Sequence, residues 1–164
     1  MQQVTRRNFV VAAAAASVGT ALALAAQSEA QVPPYGSDIN LEQAKRAIAA
    51  GEAEARKNGL AVAIAVVDNH GFFEKLDNTQ NGSVQVAIDK AVSAAIYRTP
   101  TKSFQDRLAG GGAGLRLLGL KGAVPVEGGL PIVVGGRTIG GVGVSGSTAE
   151  QDGQVAKAAA DGLA

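Results

Sequence analysis

The chain has 164 residues, with 15 Lys and Arg, 14 Asp and Glu, one His and no Cys, for a formal net charge of +1. That balance excludes a charge-driven nucleic-acid binder, and the lack of Cys excludes a disulfide scaffold, a thiolate metal site and a Cys nucleophile. Aromatic residues make up only 4% against 22 Gly, so the core is expected to consist of Ala, Val, Ile and Leu with closely packed backbones, without an aromatic platform for single-stranded nucleic acid.

Residues 1–30 differ in kind from the rest. Arg6-Arg7 precede an apolar run, Phe9 to Ala26, that carries no charge, which reads as a cleaved export signal. The order Thr5-Arg6-Arg7-Asn8-Phe9-Val10 is similar to the twin-arginine signal of proteins exported already folded, the alternative being an ordinary secretory signal. The run is marginal for a lasting anchor, which takes about 20 strongly apolar residues, so no stable membrane anchor is expected after cleavage. Small residues favour a cut after Ala30, with Ala23-Leu24-Ala25 as a second candidate. The expected location is periplasmic or secreted. Removing this segment takes away two Arg and one Glu and leaves a net charge of zero.

Residues 31–38 form a proline-fixed leader, and residues 39–164 are expected to form a single domain. Asp38 can cap a helix from Ile39 to Asn58, whose apolar side is Leu41, Ala44, Ile48 and Ala55. Leu60 to Val67 reads as a strand buried on both faces, followed by the turn Asp68-Asn69-His70-Gly71 and a strand from Phe72 to Leu76. Ser83 can cap a second helix, with Val84, Ile88, Ala91, Val92 and Ala95 inward and Asp89, Lys90 and Arg98 on the polar side, stopping before Pro100. Thr101 can open a short helix through Phe104 and Leu108. Gly110 to Gly114 break the chain, and Leu115 to Val126 fit no single element. Leu130–Val134 and Thr138–Val144 read as strands joined by Gly135-Gly136-Arg137. Ser147 or Thr148 caps a last helix with Val155, Ala158 and Ala159 inward. Hairpin-joined strands flanked by helices predict an antiparallel sheet with helices packed on it.

Few residues carry chemistry. Gly141 to Gly146 match G-x-G-x-x-G, but the glycines lie inside a strand, whereas a dinucleotide fold needs a complete strand before the first of them. They are better read as places where a backbone or a flat ligand approaches closely. Ser145 lacks the flanking glycine spacing of a nucleophile elbow. His70 reads either as an ordinary turn residue or as an axial ligand to haem iron or a weak metal ligand. Tyr97, Arg98, Thr99 and Thr101 cluster where the second helix ends, as a plain cap or as the rim for an anionic group such as a propionate.

Three ordered blocks carry a resemblance. Glu127-Gly128-Gly129-Leu130-Pro131-Ile132 and then Gly140 through Asp152, before an Ala-rich final helix, resemble the GlcG/HbpS family of haem-binding proteins. Asp89-Lys90-Ala91 with Arg98-Thr99-Pro100-Thr101 resemble a second block of that family, and Val66-Val67-Asp68 with Gly71 a first. The match spans most of residues 39–163. It implies an α/β (α+β) domain with a five-stranded antiparallel sheet flanked by helices, profilin-like in outline, that forms homo-oligomers, commonly octamers. It also implies haem, or as second choice a corrinoid, bound at or near subunit contacts. The resemblance carries the haem-binding role onto the Thr after Arg98, Thr99 or, in the pair, Thr101 as the iron ligand, with Tyr97 and Arg98 beside them. The His ligand of some relatives lies in the first helix and has no counterpart here, which leaves His70 as the one imidazole. The expected function is haem or iron sequestration or sensing. The alternatives are a small-molecule enzyme, such as one that degrades haem or isomerises a metabolite, using Asp68, Arg98 and Asp152, and a structural oligomer without ligand.

Overall fold

Helix α1 (Leu41–Lys57) begins with a reciprocal pair of hydrogen bonds: the Asn40 side chain accepts the Gln43 N–H at 2.9 Å, and the Gln43 side chain accepts the Asn40 N–H at 3.0 Å. This capping box satisfies two of the helix's first amides and moves the start from the expected Asp38 to Asn40. Ala44, Ala47, Ile48, Gly51 and Ala55 are buried, whereas Leu41, expected inward, is exposed. The structure, a computed structural model, describes residues 32–68 and 71–163. Residues 1–30, expected to be an export signal, and His70 lie outside the described residues.

Four strands follow, β1 (Ala63–Val67), β2 (Gly71–Lys75), β3 (Gly129–Val134) and β4 (Arg137–Ser145). They form one antiparallel sheet in the order β2-β1-β4-β3, four strands where five were expected. The reason lies in the leader. Beyond the point where β1 ends opposite Gly141, Tyr35 runs beside β4 in a single parallel bridge to Thr138. Thr138 N–H donates to Pro34 O and Gly36 N–H to Thr138 O, both at 2.8 Å. Pro33 and Pro34 have no N–H with which to lengthen that ladder, so the leader is a strap and not a strand.

Side-chain alternation assigns the two faces of the sheet. Ile64, Val66, Val142 and Val144 belong to the larger core with α1 and helix α4 (Ala149–Asp161). Ala63, Ala65 and Val67 pack instead with Ala87 and Ala91 of helix α2 (Gly82–Tyr97). On that side β4 presents glycine. A Cβ at Gly143 would sit 2.0 Å from the Ala87 carbonyl oxygen, and one at Gly141 2.4 Å from that of Ala91. The glycines therefore admit a helix backbone, the first of the two uses expected of them.

Lys90 corrects a further expectation. It does not lie on the polar side of α2 but is 1% exposed, and its Nζ donates to Asp152 Oδ2 and to Val144 O, each at 2.9 Å. Its helical neighbours Ala87, Ser93 and Ala94, three or four residues away, are buried, so position 90 shares their face. A long apolar stem lets the ammonium travel across that face to a partner. Val92, expected inward, is exposed.

Helix α3 (Thr101–Ala109) follows Pro100, and the stretch that fitted no element opens with a 3₁₀ helix, Gly112–Gly119. Helix α4 opens with a second capping box, in which Thr148 accepts the Gln151 N–H at 3.3 Å and the Gln151 side chain accepts the Thr148 N–H. Thr148→Ala should cost about 1 kcal/mol of stability in urea unfolding. Among the described residues, no helix is long and apolar enough to cross a membrane.

Candidate functional site

The end of α2 is built by an inward turn of the chain. Arg98 takes the left-handed conformation, φ 50°, and its N–H bonds to Ala94 O. From there the four residues expected at a ligand rim diverge. The Arg98 guanidinium lies 4.6 Å from the centre of the Tyr35 ring and donates to Pro33 O at 3.2 Å, pinning the strap. Tyr97 donates its hydroxyl to Lys121 O at 2.6 Å, while its ring meets Phe104 edge-on. Thr99 donates to Tyr97 O at 2.9 Å. Thr101 is 0% exposed; its Oγ1 accepts the Gly129 N–H at 2.9 Å and bonds back to Gly129 O at 3.4 Å. Arg98, Tyr97 and Thr101 tie α2 and α3 to the strap, a loop and β3, Thr99 bonds within its own turn, and none of the four lines the cavities described below.

The polar set Asp68, Arg98 and Asp152 is not gathered into one pocket either. Asp68 follows β1 at the end where Val67 pairs with Gly141, while Asp152 bonds to Ser147 N–H just past the opposite end, where Ala63 pairs with Ser145. Asp152 is also held by Lys90. Burial pushes the Asp152 carboxyl up from its ordinary pKa, against the downward pull of the Lys90 ammonium and the Ser147 amide. Among the described residues, no group of three or more His, Cys, Asp or Glu could hold a metal ion.

One cavity escaped the sequence reading. Between α3 and the 3₁₀ helix lies a pocket of about 400 Å³ lined by Arg107, Ala113, Gly114, Arg116, Leu117 and Leu120. Gly114 makes the fold-back possible, because a Cβ there would lie 1.8 Å from the Arg107 carbonyl oxygen. Among the described residues neither guanidinium has an ion-pair partner. Leu115, Leu118 and Val126 stand exposed in the same segment, Leu118 by 71%. The signal that could have found it is Leu115-Arg116-Leu117-Leu118, where one cation and three leucines share a short Gly-bounded stretch. An apolar wall with two cations suits a flat apolar ring bearing carboxylates. A porphyrin's body and propionates therefore fit these residues, although none of the six offers an axial ligand to iron.

Comparison with known proteins agrees with this architecture. The family described as "Haem degrading protein HbpS-like" matches residues 39–161. The chain is 40% identical over 110 residues to Protein GlcG of Escherichia coli strain K12, covering 65% of this chain and 81% of that protein. It is 35% identical over 128 residues to a 15.0 kDa protein from the dhaT-dhaS intergenic region of Citrobacter freundii, covering 75% and 90%. Among solved structures, a double mutant of Streptomyces reticuli HbpS aligns with a TM-score of 0.71 at 31% identity, over 79% of this chain and 89% of that one. With the family's pattern running unbroken from the start of α1 to the last residue of α4, the chain belongs to the HbpS-like family.

Proposed function

We propose that the protein is an exported, oligomeric haem-binding protein that holds the porphyrin against α3 and the 3₁₀ helix. The observation that carries this reading is the pocket in which Arg107 and Arg116 flank a leucine wall. Its 400 Å³ lies toward the lower end of the about 300–1,000 Å³ typical of ligand sites. One copy thus encloses part of a porphyrin, and the exposed leucines beside it are placed for a second copy to cover the rest, in an octamer or a smaller ring. Bound haem would supply iron to be sequestered or sensed; the protein's residues would seat the ring and neutralise its propionates. Thr101 remains the family's carry-over for the iron. Its hydroxyl is buried on Gly129 and lies outside the lining of this pocket, so ligation of iron held there would need Thr101 to leave Gly129 and move, which favours weak ligation and exchangeable haem. Residues 1–30 would direct the folded protein to the periplasm or beyond.

Titration of the purified protein with hemin tests the reading. A saturable Soret shift at micromolar protein is expected, weakened about tenfold by Arg107→Ala or Arg116→Ala, the loss of one charge-assisted contact. No saturable shift would remove haem binding, and unchanged affinity in both variants would move the site. The family description gives a second reading its own observable: loss of the Soret band with iron release on adding reductant would make the protein a haem-degrading enzyme.

A further inference from the structure

Two adjoining cavities lie under the strap, away from the arginine pocket. The smaller, 150 Å³, is lined by Tyr35, Asp38, Asp68, Ile96, Thr138 and Ile139, with Ala95 and Gly140 closing it. The larger, 530 Å³, shares Asp38 and Asp68 with it and is walled mainly by Ile39, Leu41, Ala44 and Phe72. Among the described residues, the two aspartates are the only charged side chains lining either. Both already hold an interaction within the protein, and an ionised carboxylate has about four lone-pair sites to share among several partners.

Thr138 adds an independent sign. It is 2% exposed and is one of the residues lining the smaller chamber, and its buried Oγ1 has no hydrogen-bond partner among the described residues. Burying a hydroxyl unpaired is unfavourable, and a polar head group in the chamber would relieve it.

We propose that these cavities bind a small organic cation, a protonated primary amine with an apolar tail. An ammonium carries three donors and no acceptor, which matches two carboxylates and one unpaired hydroxyl oxygen. The larger cleft then offers hydrocarbon walls for the tail. A metal ion fits poorly, because the described residues gather only two carboxylates and the remaining lining is largely apolar. A carboxylate ligand would meet two like charges. The inference does not depend on haem, whose proposed pocket is lined by other residues.

Titrating the full chain with hexylamine at neutral pH, with hexanoate and hexanol as controls, tests it by amide chemical-shift mapping and calorimetry. Saturable binding of hexylammonium alone is expected, with shifts at Thr138, Ile139 and the strap. Asp38→Asn and Asp68→Asn should each weaken it at least tenfold and Thr138→Val about threefold, while Thr138→Ser keeps the affinity. Equal binding of hexanol or hexanoate, displacement by Ca²⁺, absence of saturation, or an unaffected Asp38→Asn variant would overturn the proposal. Asp38 is exposed, so that variant decides the matter even if Asp68→Asn fails to fold.

Discussion

Lys90→Met is expected to destabilise the fold by about 3–5 kcal/mol, the cost of leaving one member of a buried ion pair without the other. The ammonium is joined to Asp152 Oδ2 and Val144 O at 2.9 Å, and Asp152 also accepts the Ser147 N–H at 3.0 Å. The pair thus joins α2, β4 and α4 at the end of β4, with both side chains almost wholly out of water. Methionine keeps the stem and removes the charge, so the loss isolates electrostatics from packing. The double variant Lys90→Met, Asp152→Leu should recover most of that loss, because a buried pair replaced by apolar groups of similar volume is often neutral. Urea unfolding of the four proteins of this cycle at neutral pH measures the coupling. A single variant within about 0.5 kcal/mol of the native protein would show that the pair contributes little.

Gly143→Ala is expected to be as damaging for the opposite reason. The added methyl would fall 2.0 Å from Ala87 O and 2.4 Å from Ala91 N, atoms of helix backbone that no rotamer change can move. Helix α2 would have to lift off β4, and overpacking of this kind costs about 3 kcal/mol or more. Gly82→Ala is the control. Nothing lies within 4 Å of its would-be Cβ, so its stability should change by no more than about 0.5 kcal/mol. Equal losses in both variants would show that contact with α2 is not the cause, since the lower unfolded-chain entropy of alanine acts in the stabilising direction.

The elements that the sequence reveals are those governed by a local period. Ala44, Ile48 and Ala55 announce α1, and the Gly135-Gly136 turn announces the β3–β4 hairpin, because each pattern is set within a few residues. Lys90 was illegible for a different reason: its charge argues for solvent, and only Asp152, 62 residues away, reverses that argument. The 3₁₀ helix was hidden because its fold-back depends on space at Gly114, which composition does not report. The amine cleft draws on residues near 38, 68, 96 and 138, so no stretch of sequence displays it. The rim at Tyr97 to Thr101 was found as a cluster, but backbone partners decide where each side chain points, and those partners come from the strap, β3 and the loop at Lys121.

The split between a glycine side and a valine side of β4 also fixes how that strand can pair. A slip of one residue would turn Val142 and Val144 toward α2 and Gly141 and Gly143 toward the larger core. The valines would then strike helix backbone where even a methyl group has no room, while the other core would be left with two voids. Misaligned hairpins are thus rejected by volume at both faces at once, before hydrogen bonding distinguishes one register from another. In a sheet built largely from Ala, Val and Gly, where hydrophobicity alone discriminates weakly between neighbouring alignments, the shape of one strand acts as the ruler for the others.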